Sequence, residues 1–253
     1  MKTGLCSVTF RGKLVGEIIE LTQRSKLAAI EWGGDVHVPP VTPLSRLEEI
    51  RRQTEDAGLL VSSYGSYYTV LEAQTGHAPS FDEVMDVAES LDTNTIRVWS
   101  GGGDSKDADV STFQQAADRA IELADAAAER KLTLAFEYHR GGLTDTVEST
   151  LRLLDLINKP NVKCYYQTDQ APDSARAVSE ITRLLPHLLN VHCFYYRQGE
   201  RLLLEEGVSF WQSLVETLKA SGFTGHLLLE FVKDDAEGNF LRDAATLRDI
   251  LSL

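Results

Sequence analysis

Eight short β-rich runs, each followed by a longer amphipathic run, fill the chain from one end to the other. The candidate strands are LCSVTF (5–10), LAAIEW (27–32), LLVSSY (59–64), TIRVWS (95–100), LTLAFE (132–137), VKCYYQ (162–167), LNVHCF (189–194) and HLLLEF (226–231). A strand that must cross a helix before the next strand pairs in parallel through right-handed crossovers, and eight such units close into a cylinder. The expectation is a single (β/α)8 barrel domain over residues 1–253, a length ordinary for that architecture. A doubly wound open sheet is the structural alternative, but no GxGxxG follows the first strand.

Helix starts are legible in the same way. Thr42-Pro43 reads as cap and first-turn proline, and Ser80 with Glu83, Ser111 with Gln114 and Asp145 with Glu148 read as capping boxes. Gly58 and Gly222 stand where a helix C-terminus belongs. The firmest helix lies within residues 111–131, where Ala116, Ala117, Ala120, Ile121, Ala124 and Ala127 recur at helical spacing opposite Asp118, Arg119, Glu122 and Asp125.

Charge narrows the function classes. A net charge of −13 repels phosphate backbones, so nucleic acid is not an expected partner. Neither a signal-peptide pattern nor an apolar run near membrane-spanning length occurs, which leads to the expectation of a cytoplasmic protein without membrane association. Cys6, Cys164 and Cys193 are odd in number and widely spaced, as suits buried reduced thiols.

In a parallel barrel the C-terminal strand ends form the face where side chains leave the packed interior, and ligands bind there. Glu137 ends the fifth strand, Gln167 the sixth, His192 lies late in the seventh and Glu230 late in the eighth. Four neighbouring strands thus each present an oxygen or nitrogen donor. Buried carboxylates are costly unless a cation or hydrogen bonds compensate them, and two carboxylates with an imidazole form a normal shell for a divalent metal. Such an ion also polarises a carbonyl and steadies the oxyanion left when the adjacent carbon loses a proton.

The ordered strings SVTFR, IEWGGDVHVPP, SYGSYY, IRVWSGGG, FEYHRGGLTDT, NVHCFYY and LLLEFV make the chain resemble the xylose-isomerase-like barrel superfamily, in particular its sugar phosphate isomerase and epimerase branch with ketose 3-epimerases, hydroxypyruvate isomerases and inosose dehydratases. The resemblance implies one divalent metal ion (Mn, Mg, Co, Ni or Zn) held by Glu137, His192 and Glu230, with the two glutamates also carrying protons. The sixth strand departs from the pattern: the superfamily's Asp, and a His three residues later, are replaced by Gln167 and Gln170. Gln167 is taken as the fourth ligand because it lies at the strand end, with Asp169 as the alternative. The change removes one negative charge from the shell and should weaken metal binding.

Other residues are expected to contact substrate. Glu31 and His37 flank a Gly-Gly turn after the second strand; His139 follows Glu137 by two; Arg201 matches an arginine that touches substrate in relatives; and Trp99 belongs to a set of strand-end aromatics suited to walling a sugar pocket. The bland alternatives are a loop brace for Glu31 and His37, a surface ion pair for Arg201 and a flexible turn for Gly101 to Gly103, which could otherwise cradle a phosphate.

The expected activity is therefore a metal-dependent isomerase or epimerase of a small sugar, sugar phosphate or hydroxy-keto compound working through an enediolate. A dehydratase on an inosose- or dehydroshikimate-like substrate and a metal-free sugar-binding barrel are the alternatives. An endonuclease-IV-like phosphodiesterase is disfavoured by the missing Asp and His and by the acidic charge. The aromatic loops SYGSYY and FYYRQ offer a surface for homo-oligomer formation near the mouth.

Overall fold

Strands buried on both faces need apolar residues on both, and the runs TLAF and HLLL meet that need. In the computed structural model, which describes residues 1–71, 79–168 and 172–252, they are two staves of a closed parallel barrel. Its strands are β1 (Lys2–Cys6), β2 (Ala29–Gly33), β3 (Leu60–Thr69), β4 (Thr95–Trp99), β5 (Thr133–Phe136), β6 (Val162–Gln167), β7 (Leu188–Cys193) and β10 (His226–Leu229). The last strand pairs with the first: Leu5 is in register with Leu229. Eight helices surround the cylinder: α1 (Val15–Arg24), α2 (Leu44–Asp56), α3 (Phe81–Ser90), α4 (Val110–Glu129), α5 (Val147–Ile157), α6 (Ser174–Leu184), α7 (Val208–Ala220) and α8 (Glu237–Ser252). The expected (β/α)8 barrel is the fold.

Two apolar regions result. The larger lies between the helices and the outer barrel face and includes Trp211, Phe113 and Phe240, all buried. The smaller, Ala135, Tyr165 and Leu228, fills the lower barrel interior. Successive strand residues face opposite sides, so the residue two beyond each interior one also points inward, one layer nearer the mouth. That rule carries Ala135 to Glu137, Tyr165 to Gln167 and Leu228 to Glu230. An apolar floor thereby becomes a polar ceiling.

Several local elements differ from the expected ones. The first strand ends at Cys6, and Ser7–Phe10 is a 3-10 turn instead of strand, because Ser7 Oγ accepts the Gly33 N–H at 2.9 Å and draws the chain toward β2. The polar SSYGSYY stretch lies within β3, which bulges between Gly65 and Tyr68 where Tyr67 takes a left-handed φ of 58°. Helix α2 begins after Pro43, which makes no side-chain cap.

The start of α4 is Asp109, not Ser111: its carboxylate accepts the Thr112 N–H at 2.8 Å and also both neighbouring hydroxyls. Helix α5 is capped by Thr146 with Ser149, not by Asp145 with Glu148. Ser80 and Glu83 form the expected reciprocal box, with bonds of 3.2 and 2.7 Å. Gly58 and Gly222 follow helix ends with φ of 76° and 73°.

An unexpected hairpin, β8 (Tyr195–Arg197) with β9 (Glu200–Leu202), rises after β7. Gln198 and Gly199 both have positive φ, as a two-residue hairpin turn requires. Cys6, Cys164 and Cys193 are free and buried. Among the described residues no helix is long and apolar enough to cross a membrane.

Because Asp109 carries the cap, Asp109→Ala should lower the urea midpoint and Ser111→Ala should lower it much less. Equal losses would return the cap to Ser111.

Candidate active site

The polar ceiling of the barrel holds a buried charged cluster. Glu31 on β2, Arg97 on β4 and His192 on β7, with Glu137 just beyond β5 and Glu230 just beyond β10, are each 3% exposed or less. Arg97 Nε donates to Glu31 Oε1 at 2.8 Å, and its Nη1 donates to Glu137 Oε2. Glu31 Oε2 accepts from Ser63 Oγ at 2.7 Å. Glu137 Oε2 also accepts from the Trp99 indole at 2.5 Å, while its backbone carbonyl accepts from Thr144 Oγ1.

Room for the guanidinium comes from Gly65: a Cβ there would stand 2.6 Å from Arg97 Nη2 and 3.0 Å from Glu31 Oε1. The Tyr67 ring covers the same guanidinium, with 5.3 Å to its centroid.

His192 sits among three carboxylates. Its Nδ1 is 3.2 Å from Glu230 Oε2 and 3.5 Å from Glu137 Oε1, and its Nε2 is 3.4 Å from Glu31 Oε1. None of these contacts is aligned as a hydrogen bond, so among the described residues both ring nitrogens and Glu230 Oε2 are buried without a hydrogen-bond partner. The donor atoms of Glu137, His192 and Glu230 lie within 4.8 Å of one another. Such orphaned, convergent hard donors fit a divalent cation, whose charge would offset their desolvation.

Burial is the largest influence on these groups, but charge decides the outcome. For Glu31 and Glu137, burial favours the neutral acid, yet Arg97 and His192 outweigh it; Glu137 is lowered to about 2, and Glu31 falls well below the carboxylate range. For His192, burial disfavours the imidazolium, but the facing carboxylates of Glu230 and Glu31 raise its pKa nonetheless. Without a metal, the imidazolium provides part of the missing positive charge.

The remaining candidates divide. Gln167 is in register with His192, so the two side chains share the interior face, and among the described residues its buried amide oxygen has no hydrogen-bond partner. Asp169 and Gln170 lie outside the described residues. Glu31, expected at the end of the second strand beside the Gly-Gly turn, lies on β2 and belongs to the charged cluster. His37 is drawn to the first loop, with Nε2 3.1 Å from the Lys13 carbonyl oxygen. His139 stacks on Trp99 at 5.3 Å and stands exposed at the mouth. Arg201, on the hairpin, lies 5.4 Å over the Phe231 ring and pairs with Asp235, tying the hairpin to the loop after β10.

The Gly101–Gly103 turn bridges to Gly142 and offers its Gly101 carbonyl to Leu143 N–H, the behaviour of a packed turn. Beside Gln167 and His139 opens a cavity of about 390 Å3, whose wall includes Tyr138, Phe194, Tyr196 and Phe231.

Arg97 and Cys6 were missed as members of the site. The signal for Arg97 was present: it is the one charged residue inside TIRVWS, two positions before an outlet residue. Cys6 ends β1, its Sγ 3.3 Å from Glu31 Oε1 and 3.9 Å from Glu230 Oε1.

Residues 19–250 match the xylose isomerase-like TIM barrel family. The chain belongs to it. A curated relative, 3-dehydroshikimate dehydratase of Bacillus anthracis, is 25% identical over 173 residues, covering 64% of this chain and 60% of the relative, so the alignment spans less than two thirds of that protein. The crystal structure of the probable 3-DHS dehydratase AsbF of the same organism has a TM-score of 0.82 at 20% identity, covering 98% of this chain and 99% of that one. A D-psicose 3-epimerase from Clostridium cellulolyticum H10 has a TM-score of 0.74 at 14% identity, covering 99% of each. These named relatives of the family are enzymes, and their fold is shared here throughout.

The lowered carboxylates set an acid dependence. A depressed pKa contributes stability above the ordinary carboxylate value of 4.5, and that contribution is lost as pH falls toward about 2. Arg97→Met should cost about 3–5 kcal/mol at neutral pH, because it leaves two buried carboxylates without their cation. It should also flatten the acid dependence between those pH values, read from urea denaturation at several pH values. An unchanged acid profile would mean that Arg97 does not hold these carboxylates ionised.

Proposed function

We propose that this chain is a metal-dependent dehydratase acting on a small polyhydroxylated carbonyl compound of the dehydroshikimate or inosose kind. The observation that carries this reading is the inequality of the two glutamates. Arg97 and the Trp99 indole bind Glu137 and hold its carboxylate ionised, so it is a poor carrier of a proton. Among the described residues Glu230 has no guanidinium or indole partner; its Oε2 makes no hydrogen bond and its Oε1 meets the Cys6 thiol. Two-base epimerisation needs both acids to take and return protons. One free base serves an elimination.

In that reaction Glu230 takes the proton from the carbon next to the carbonyl, and the C–H electron pair moves into the carbonyl as an enolate. The enolate re-forms the carbonyl, a carbon–carbon double bond forms, and the β-hydroxyl departs with the proton returned from Glu230. Water is the product, and Glu230 is restored. Glu137, Gln167, His192 and Glu230 are the residues that would hold one dication, which supplies positive charge beside the carbonyl oxygen. Trp99 and Arg97 keep Glu137 oriented. The neighbouring aromatic-walled cavity suits a flat six-membered ring, and the similarity to 3-dehydroshikimate dehydratase favours such a substrate.

Epimerisation is the second reading, supported by the likeness to D-psicose 3-epimerase and by both glutamates converging on His192. The two diverge in product. With 3-dehydroshikimate, itself an enone, loss of water followed by enolisation yields an aromatic product absorbing at longer ultraviolet wavelength than the substrate, whereas D-psicose in deuterated water would acquire deuterium at the carbon next to the ketone. We expect the first signal, reduced by about 10²–10⁴-fold in Glu230→Gln. In Glu137→Gln we expect the larger effect on the metal concentration needed for activity. Deuterium uptake by D-psicose without any absorbing product from 3-dehydroshikimate would replace the dehydratase with an epimerase.

A further inference from the structure

His192 divides the cluster into two half-sites. On its Nδ1 side stand Glu137 and Glu230, and on its Nε2 side stand Glu31 and Cys6. The donor atoms of Cys6, Glu31 and His192 lie within 4.8 Å of one another, as do those of Glu137, His192 and Glu230. The ring they share is fully buried, and among the described residues neither of its nitrogens has a hydrogen-bond partner. Two three-donor sets on opposite nitrogens of one ring could hold two ions, one on each side of the imidazole.

Arg97 bonds one carboxylate of each half-site, Glu31 through Nε and Glu137 through Nη1. Among the described residues no guanidinium touches Glu230, so the Nδ1 side keeps a carboxylate free of Arg97, whereas the Nε2 side has only the Cys6 thiol besides Glu31. We propose that the Arg97 guanidinium is a built-in cation standing in for a second metal ion, so that the barrel accepts one dication and the Cys6–Glu31–His192 set stays metal-free. This rests on the metal reading above.

Charge supports the same count. Three buried carboxylates against one guanidinium leave two negative charges, which a single dication balances when His192 is neutral. A second dication would face the fixed positive charge of Arg97 across a shared carboxylate, in surroundings where like charges repel strongly. The guanidinium is also held in place: the missing side chain of Gly65 leaves its space and Tyr67 covers it. The consequence is a site restricted to one-ion enolate chemistry, because a guanidinium cannot hold an attacking hydroxide as a second ion does.

Cobalt(II) tests this, since a cysteine thiolate bound to it adds a charge-transfer absorption in the near ultraviolet. Wild-type protein dialysed against excess cobalt should retain one ion per chain without that absorption. Arg97→Met should retain two with it, and Arg97→Met combined with Cys6→Ser should lose the absorption. Arg97→Lys, which keeps a cation, should stay at one. A second ion or a thiolate signal in the wild type would overturn the proposal, as would Arg97→Met remaining at one ion without the signal.

Should Arg97→Met not fold, the wild-type and Arg97→Lys titrations decide: one ion in each, without the thiolate band, supports the proposal, and two in either overturns it. Wild type binding no ion would instead overturn the metal reading of the active site. Arg97→Met would then support the role of Arg97 only by gaining an ion with the thiolate band.

Discussion

The site rests on a buried guanidinium shared by two carboxylates. Moving charges of this kind into a barrel interior costs several kcal/mol per ion even after relaxation, and removing one partner leaves the others uncompensated. Arg97 meets that cost by placing separate N–H groups on Glu31 and Glu137, a division the planar fork allows and a lysine ammonium does not reproduce. Its neighbours are shaped around it: a glycine where any Cβ would collide, and a tyrosine ring over its face. The ceiling of the barrel is therefore organised around a fixed positive charge.

That charge makes two chemically identical side chains unequal. Glu137 is bound by a guanidinium and an indole, whereas Glu230 faces an unaligned imidazole and a thiol. A carboxylate already bonded to cations holds its ionised form and suits a ligand; a carboxylate with an idle oxygen suits a base. The low dielectric of the interior sharpens the difference, because each contact counts for more there than in water. Around the opening, the Trp99–His139 stack and the Arg201-anchored hairpin link the cluster to the cavity beside it.

Much of this was legible along the chain. Eight alternating runs implied the barrel, and Glu137, His192 and Glu230 were singled out because strand ends lead to the mouth; their donor atoms do converge. Gln167 stood out by its place at a strand end, and the register of the folded barrel sets it beside His192. Arg97 escaped notice because it lies within an apolar strand instead of at its end, and attention to strand ends passes over interior positions. For Glu31, expected to contact substrate at the end of the second strand, no local sign shows that a guanidinium 66 residues away reaches it. The caps at Asp109 and Thr146 were displaced because several Asp, Ser and Thr residues stand near each helix start, and local spacing alone does not choose among them.

By itself the amino-acid sequence determined the periodicities: two along strands and 3.6 along helices, and with them the barrel, its apolar floor and the residues that point inward. These are properties of neighbours in the chain, set by local geometry and hydrophobicity. Tertiary structure alone decided which inward residues become partners. Arg97 and Glu31 are 66 residues apart, and Cys6 and Glu230 are 224 apart. Their meeting depends on barrel closure and strand register, because only a closed cylinder sets its first and last strands side by side and turns separated charges into one electrostatic unit.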